Sequence, residues 1–258
     1  MKRTLQILNA LSVVFALVMN IIVGARLINV PSIGEVSDRY ATLLTPATYA
    51  FSIWTLIYLL LIVFAVYQAR DLFKPKENNT LPHRLGPYFI LANIGNGLWT
   101  YIFVSDFIGT SVLVLLGMVA TLFLAMRRLN IAMYSAPLRT VICVWWPLMI
   151  YTGWVLVASV VNIASWLASL GITIDQFAIF IILTVLCNLL LVLLYLRNVR
   201  ELVLASTWGI AAIGVRAVQM NEGTLVITTI FTVSAVLLIA SAVHAFINRR
   251  SNMLVYVL

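Results

Sequence analysis

Apolar residues run with little interruption over eight stretches of the chain, roughly 5–25, 46–69, 87–105, 107–126, 140–168, 175–196, 202–219 and 224–247, and charged residues fall almost entirely between them. At about 1.5 Å of rise per residue, most of these stretches can cross a hydrocarbon core of about 30 Å as a helix. Lipid offers no water to an open backbone, so a spanning segment must satisfy its own N–H and C=O groups. The pattern therefore predicts an all-α polytopic membrane bundle of about eight transmembrane helices, forming a single domain over 1–258. A β-barrel would alternate in segments of about ten residues, and the sequence has no such alternation. The seventh stretch is the weakest, held between Arg200 and Arg216, and Arg216 is expected to snorkel toward the interface.

Composition agrees with the pattern. Hydrophobic residues make up 63% and charged residues 9% of the chain, against about 25% charged in a soluble domain. The net charge of +8 does not indicate nucleic-acid binding, because the basic residues are scattered between spans and form no single patch. They report orientation instead. With the N-terminus cytoplasmic, thirteen of the sixteen Lys and Arg residues lie inside, among them Lys2, Arg3, Lys74, Lys76, Arg249 and Arg250, and only Arg26, Arg39 and Arg216 lie outside. Both termini are then cytoplasmic, and a bacterial inner membrane is the expected location. The first stretch has the basic start of a secretory signal. Its apolar part of about 21 residues exceeds the usual 7–15, so an uncleaved first helix is expected.

Several local features follow. Thr45 and Pro46 form an N-cap and N1 pair for the second helix. Asp106 and Asp175 are expected as caps, and Pro147 should kink the fifth span. Asn78-Asn79-Thr80 fits a glycosylation sequon, but the charge bias places it inside. Cys143 and Cys187 lie within apolar spans and read as small core residues rather than a disulfide or metal pair.

Within the fifth span, "WVLVASVVNIASW" places Trp154, Ala158, Asn162 and Trp166 four apart. Each step of four drifts about 40° around a helix axis, so these residues form a slowly turning stripe, with Tyr151 one turn earlier. Asn162 facing lipid would leave its amide unsatisfied, so it should face the bundle. Ala158 leaves a gap between rings, a shape that suits a flat apolar ligand. Helix packing through small residues explains the same stripe, and both explanations stand at this point. Two other spans carry similar stripes: Pro46, Phe51, Trp54 and Tyr58 in the second, and Asn96, Trp99 and Phe103 in the third.

Taken together these motifs resemble the TspO/MBR family, the tryptophan-rich sensory proteins related to the mitochondrial translocator protein. The second-helix Trp-Thr-x-x-Tyr appears as Trp54, Thr55 and Tyr58. The third-helix Asn-x-x-Trp with a later Phe appears as Asn96, Trp99 and Phe103. The fifth-helix pattern appears as Tyr151, Trp154, Ala158, Asn162 and Trp166. Phe51 stands three rather than four residues before Trp54, and Ile150 replaces a proline often found before the fifth-helix Tyr. The resemblance covers about 1–170, a five-helix half, leaving 171–258 as three additional helices.

The resemblance implies a receptor-like protein that binds a flat apolar ligand, such as a porphyrin (a tetrapyrrole) or a sterol-like molecule, under the loop 26–45. On this basis Trp54, Trp99 and Trp154 would wall the pocket, Ala158 would set its depth and Asn162 would offer a hydrogen bond. Tyr58, Asn96, Phe103 and Tyr151 complete the candidate ligand-binding set. Other expected partners are membrane lipid and a second copy of the chain as a homodimer. A carrier for a neutral hydrophobic or amphiphilic substrate and a structural assembly partner are the alternatives.

No nucleophile–histidine pair, metal ligand set or phosphate loop stands out, so no enzyme activity, metal or cofactor is expected beyond a bound tetrapyrrole as ligand. The spans hold almost no ionisable group, which disfavours charge-coupled transport. His244, near the end of the last span, reads as a packed or interfacial side chain. Val192–Arg197 fits the loose sterol-contact pattern, which carries little weight.

Overall fold

The computed structural model describes residues 2–72 and 80–248. Lys74, Lys76, Asn78, Asn79, Arg249 and Arg250 lie outside the described residues. No strand occurs among the described residues. The helices are α1 (Lys2–Gly24), α2 (Ile33–Arg39), α3 (Ile53–Ala69), α4 (Leu81–Leu85), α5 (Tyr88–Val104), α6 (Ile108–Arg128), α7 (Leu138–Thr140), α8 (Trp146–Ser169), α9 (Gln176–Arg197), α10 (Arg200–Gln219) and α11 (Thr224–Ile247). A 3₁₀ turn, Thr48–Ser52, leads into α3, and a π turn, Val141–Trp145, leads into α8.

Among the described residues, seven helical segments are long and apolar enough to cross a membrane: α1, α3 with its 3₁₀ turn, α6, α8 with the turns before it, α9, α10 and α11. The chain is thus a multi-pass integral membrane protein with seven candidate spans rather than eight. The third expected span appears as α5, an apolar helix of 17 residues, about 26 Å long. Pro87 stands at its N-cap, and the chain turns at its other end, where Asp106 takes a left-handed φ of 65°. The doubtful seventh stretch forms a full 20-residue helix, α10.

Two of the expected helix caps are not formed. Thr45 does not cap α3. Its hydroxyl accepts the Thr42 N–H at 2.8 Å, and Ala47 continues in an extended conformation before the 3₁₀ turn. Asp106 does not cap α6, whose N-cap is Phe107 without a side-chain bond. A short acid tolerates the left-handed region that the reversal requires. Asp175 does cap α9, accepting the Ala178 N–H at 2.7 Å. Pro147 cannot donate to the Cys143 carbonyl. A π turn, closed by the Trp146 N–H on the Val141 carbonyl, directly precedes it.

The chain divides into two compact units, the first comprising residues 1–36, 54–131 and 137–148, the second 37–53, 132–136 and 149–258. In the first, α5 packs against both α1 and α6. A polar seam runs along α1. Gln6 and Gln68 exchange side-chain-to-backbone bonds at 2.9 Å, and Gln6 also bonds Asp71. Asn93 reaches Ser12 at 3.2 Å, and Asn20 reaches Asn96 at 2.9 Å. Gln6, Asn9, Ser12, Asn93 and Asn96 are all buried. In the second unit, α11 packs on α10 and α9, and α10 contacts the 3₁₀ turn. There α8 and α10 come close enough that the Ser206 hydroxyl donates to the Gly153 carbonyl at 2.9 Å.

The start of α2 carries a capping box. Ser32 N–H donates to Glu35 at 2.7 Å, and Glu35 N–H donates to the Ser32 hydroxyl at 3.2 Å. Arg26 adds an ion pair at 2.6 Å. The Ser32 backbone bond first, then the Arg26 bond, lower the Glu35 carboxyl from 4.5 to about 2. A carboxylate depressed in the folded state stabilises fully above its unfolded value and loses that contribution as pH falls. The box should therefore persist at pH above 4.5 and fail as pH drops toward 2. Side-chain NMR titration of Glu35 checks this, and Arg26→Gln, which removes the ion pair but keeps the Ser32 N–H bond, should move the midpoint part of the way up toward 4.5.

Candidate functional site

The first unit gathers five of the expected residues into one cluster. Trp54 and Tyr58, one turn apart on α3, stack with centroids 5.4 Å apart and planes 17° apart. Trp99 and Phe103, one turn apart on α5, stack at 5.4 Å and 22°. Trp54 and Trp99 join the two pairs at 6.2 Å and 33°. The helical repeat aligns each pair on one face, and the contact between the tryptophans continues the row. Trp54, Trp99 and Phe103 are buried, and Tyr58 is half-buried.

Asn96 lies beside this row, fully buried. Its Oδ1 accepts the Tyr58 hydroxyl at 3.1 Å and the Asn20 amide at 2.9 Å. Thr100 completes the network, donating to Asn20 Oδ1 at 3.2 Å and to the Asn96 carbonyl at 3.0 Å. With Oδ1 doubly occupied, the Asn96 Nδ2 is left buried with no partner. A buried donor without an acceptor costs free energy unless something supplies one. That donor lies next to the four aromatic rings.

Asn20 and the rest of the α1 seam were not singled out from the sequence. The signal was present, because Gln6, Asn9, Ser12 and Asn20 recur at intervals of three, three and eight residues in an otherwise apolar helix. Such a stripe marks a face turned away from lipid.

The remaining expected residues belong to the second unit. Tyr151, Trp154 and Asn162 are buried, whereas Ala158 is half-buried. Trp154 meets Phe51 edge to face, with centroids 6.2 Å apart at 85°. A Cβ at Gly209 would lie 3.4 Å from the Trp154 ring and 3.0 Å from a Val157 methyl, so α10 closes over this part of α8. Tyr49 packs edge-on against Trp208 at 5.4 Å, and the Trp208 indole N–H donates to the Ala50 carbonyl at 3.1 Å. Trp166 turns outward and is 38% exposed, as the drift of a four-residue repeat requires. Phe51 took part in the expected stripe. Trp208 and Gly209 did not, because nothing in the α10 sequence by itself names α8 as its partner.

His244 is buried at the end of α11, its ring edge-on to Tyr195 at 5.6 Å. Cys143 and Cys187 are free thiols. Among the described residues no group of His, Cys, Asp or Glu is arranged to hold a metal ion.

The family model for TSPO-like protein matches residues 6–243. The match runs beyond 170, through α9 and α10 and into α11. No curated protein and no solved structure matches the chain.

Proposed function

The chain belongs to the TSPO-like protein family, and from that premise we propose that it is a membrane-embedded, receptor-like protein that binds a flat apolar ligand of the porphyrin or sterol type. One observation carries the proposal: a row of four aromatic rings, three of them buried, stands beside the unpartnered Asn96 Nδ2. Rings at this spacing offer flat faces to a planar or rigid ligand. The amide supplies the single oriented polar contact such a pocket uses. The charge bias between the spans supports a bacterial inner membrane with both termini cytoplasmic.

A second reading has its own observation. The Asn9 and Asn93 Oδ1 atoms are also buried without partners, so the α1 seam offers successive hydrogen-bonding positions to a neutral amphiphile passing along it. This supports a carrier.

Titration of the purified protein with protoporphyrin IX and with cholesterol, followed by tryptophan emission and co-elution on gel filtration, tests the first reading. Saturable quenching is expected, with Trp99→Leu weakening affinity at least tenfold. Trp154→Leu and Ala158→Phe report whether the second unit contributes. Quenching that stays equal in wild type and Trp99→Leu refutes a specific site. Flux of the bound ligand in proteoliposomes separates carrier from receptor.

A further inference from the structure

The second unit contains a cavity of about 540 Å³ that none of the aromatic residues lines. Its walls include Thr42 and Leu43 before the 3₁₀ turn, Ile172 and Ile174 between α8 and α9, and Arg216 and Glu222 at the end of α10. The volume falls within the range of about 300–1,000 Å³ usual for small-molecule sites. The cavity opens where two candidate spans, α8 and α10, terminate. That is the level at which a bilayer gives way to its polar headgroups.

The charges on the wall have opposite signs. Arg216 is largely withdrawn from solvent, its side chain 14% exposed, and its Nη1 bonds Asp38 at 2.6 Å. Asp38 is not part of the cavity wall, and its own side chain is 52% exposed. A guanidinium carries five N–H donors. One hydrogen bond from Arg216 is found among the described residues, so donors remain for an anion inside the cavity. Glu222, an acidic residue, lines the same cavity. A simple anion would oppose Glu222, and a simple cation would oppose Arg216. A group bearing both charges, with an apolar body against Leu43, Ile172 and Ile174, complements the whole wall.

We propose that this cavity binds a zwitterionic phosphate–ammonium group, with the phosphate on Arg216 and the ammonium on Glu222. The shared chemistry has two sources, the head of a phosphatidylethanolamine-type lipid and a free aminoalkyl phosphate. The site is separate from the aromatic row, and its test does not depend on porphyrin binding.

The full chain in dodecyl maltoside is titrated calorimetrically with dihexanoyl-phosphatidylethanolamine, dihexanoyl-phosphatidylglycerol and O-phosphoethanolamine. Saturable one-to-one binding of the ethanolamine lipid is expected, at least tenfold tighter than the glycerol lipid. Arg216→Gln should weaken both lipids at least tenfold. Glu222→Gln should erase the preference for ethanolamine while leaving glycerol-lipid binding unchanged or improved. Asp38→Asn frees a guanidinium donor and should tighten binding several-fold, a gain that misfolding cannot imitate. If O-phosphoethanolamine binds as tightly as the lipid, the source is soluble; if only the lipid binds, it is membranous. Equal affinity of wild type for the two lipids overturns the proposal, as does unchanged binding in both Arg216→Gln and Glu222→Gln.

Discussion

Gly153→Ala is expected to be the most damaging conservative change in the protein. A Cβ built on Gly153 falls 2.1 Å from the Leu202 carbonyl oxygen and within 3.0 Å of two further Leu202 backbone atoms. A side chain in the way could rotate aside, but this obstacle is the backbone of α10 at the point where Ser206 also bonds the Gly153 carbonyl. The helices must separate, losing that bond and the contact of Trp154 with Gly209 two turns along. Overpacking typically costs about 1–3 kcal/mol, and an obstacle made of backbone places this case at or above the upper end. Gly117→Ala is the control, because α6 leaves nothing within 4 Å of that Cβ. In a helix interior alanine is favoured over glycine by up to about 1 kcal/mol. Thermal unfolding in detergent should show Gly153→Ala well below wild type and Gly117→Ala at or slightly above it. Equal midpoints for the two variants would contradict the close approach.

The second large effect is expected at Asn96. Leucine there removes the acceptor of both the Tyr58 hydroxyl and the Asn20 amide. Orphaned buried donors cost about 1–3 kcal/mol each in soluble proteins. Inside a membrane bundle, measured side-chain bonds average nearer 0.6 kcal/mol because the separated helices find other partners. A total loss of about 1–4 kcal/mol follows for Asn96→Leu. Adding Tyr58→Phe removes one of the stranded donors, so the double variant should be more stable than the sum of the two single losses. Porphyrin affinity should fall at least tenfold in Asn96→Leu, equivalent to about 1.4 kcal/mol. A variant that keeps wild-type affinity would show that the amide does not touch the ligand.

The four rings of the aromatic row and the amide beside it could be found in advance because each helix carries its own part of the pattern. Trp54 with Tyr58, and Asn96 with Trp99 and Phe103, stand at intervals that the helical repeat places on one face. Apolar run length likewise gave the helices themselves, down to the doubtful α10. What escaped depended on partners distant in the chain or on backbone conformation. Asn20 joins Asn96 across 76 positions, and no local rule on α1 names that neighbour. Thr45 followed by Pro46 looks like a helix start, but Ala47 is extended and its N–H bonds the Ala212 carbonyl at 3.0 Å. Asp106 has the composition of a cap, whereas its left-handed φ makes it the residue that reverses the chain and trims α5 to 17 residues. Arg216 was expected to snorkel toward the interface, but its bond to Asp38 was not foreseen, because charge counting along the chain does not pair residues 178 positions apart.

The amide-lined face of α1 bears on how the protein is made. A nascent chain delivers α1 to the bilayer before α3 or α5 has been synthesised, so glutamine, asparagine and serine side chains first meet acyl tails alone. The helix is apolar enough to enter, yet it gains its full comfort only when its two later companions arrive. The polar seam can therefore close only after α3 and α5 are made, because Gln68, Asn93 and Asn96 supply its partners.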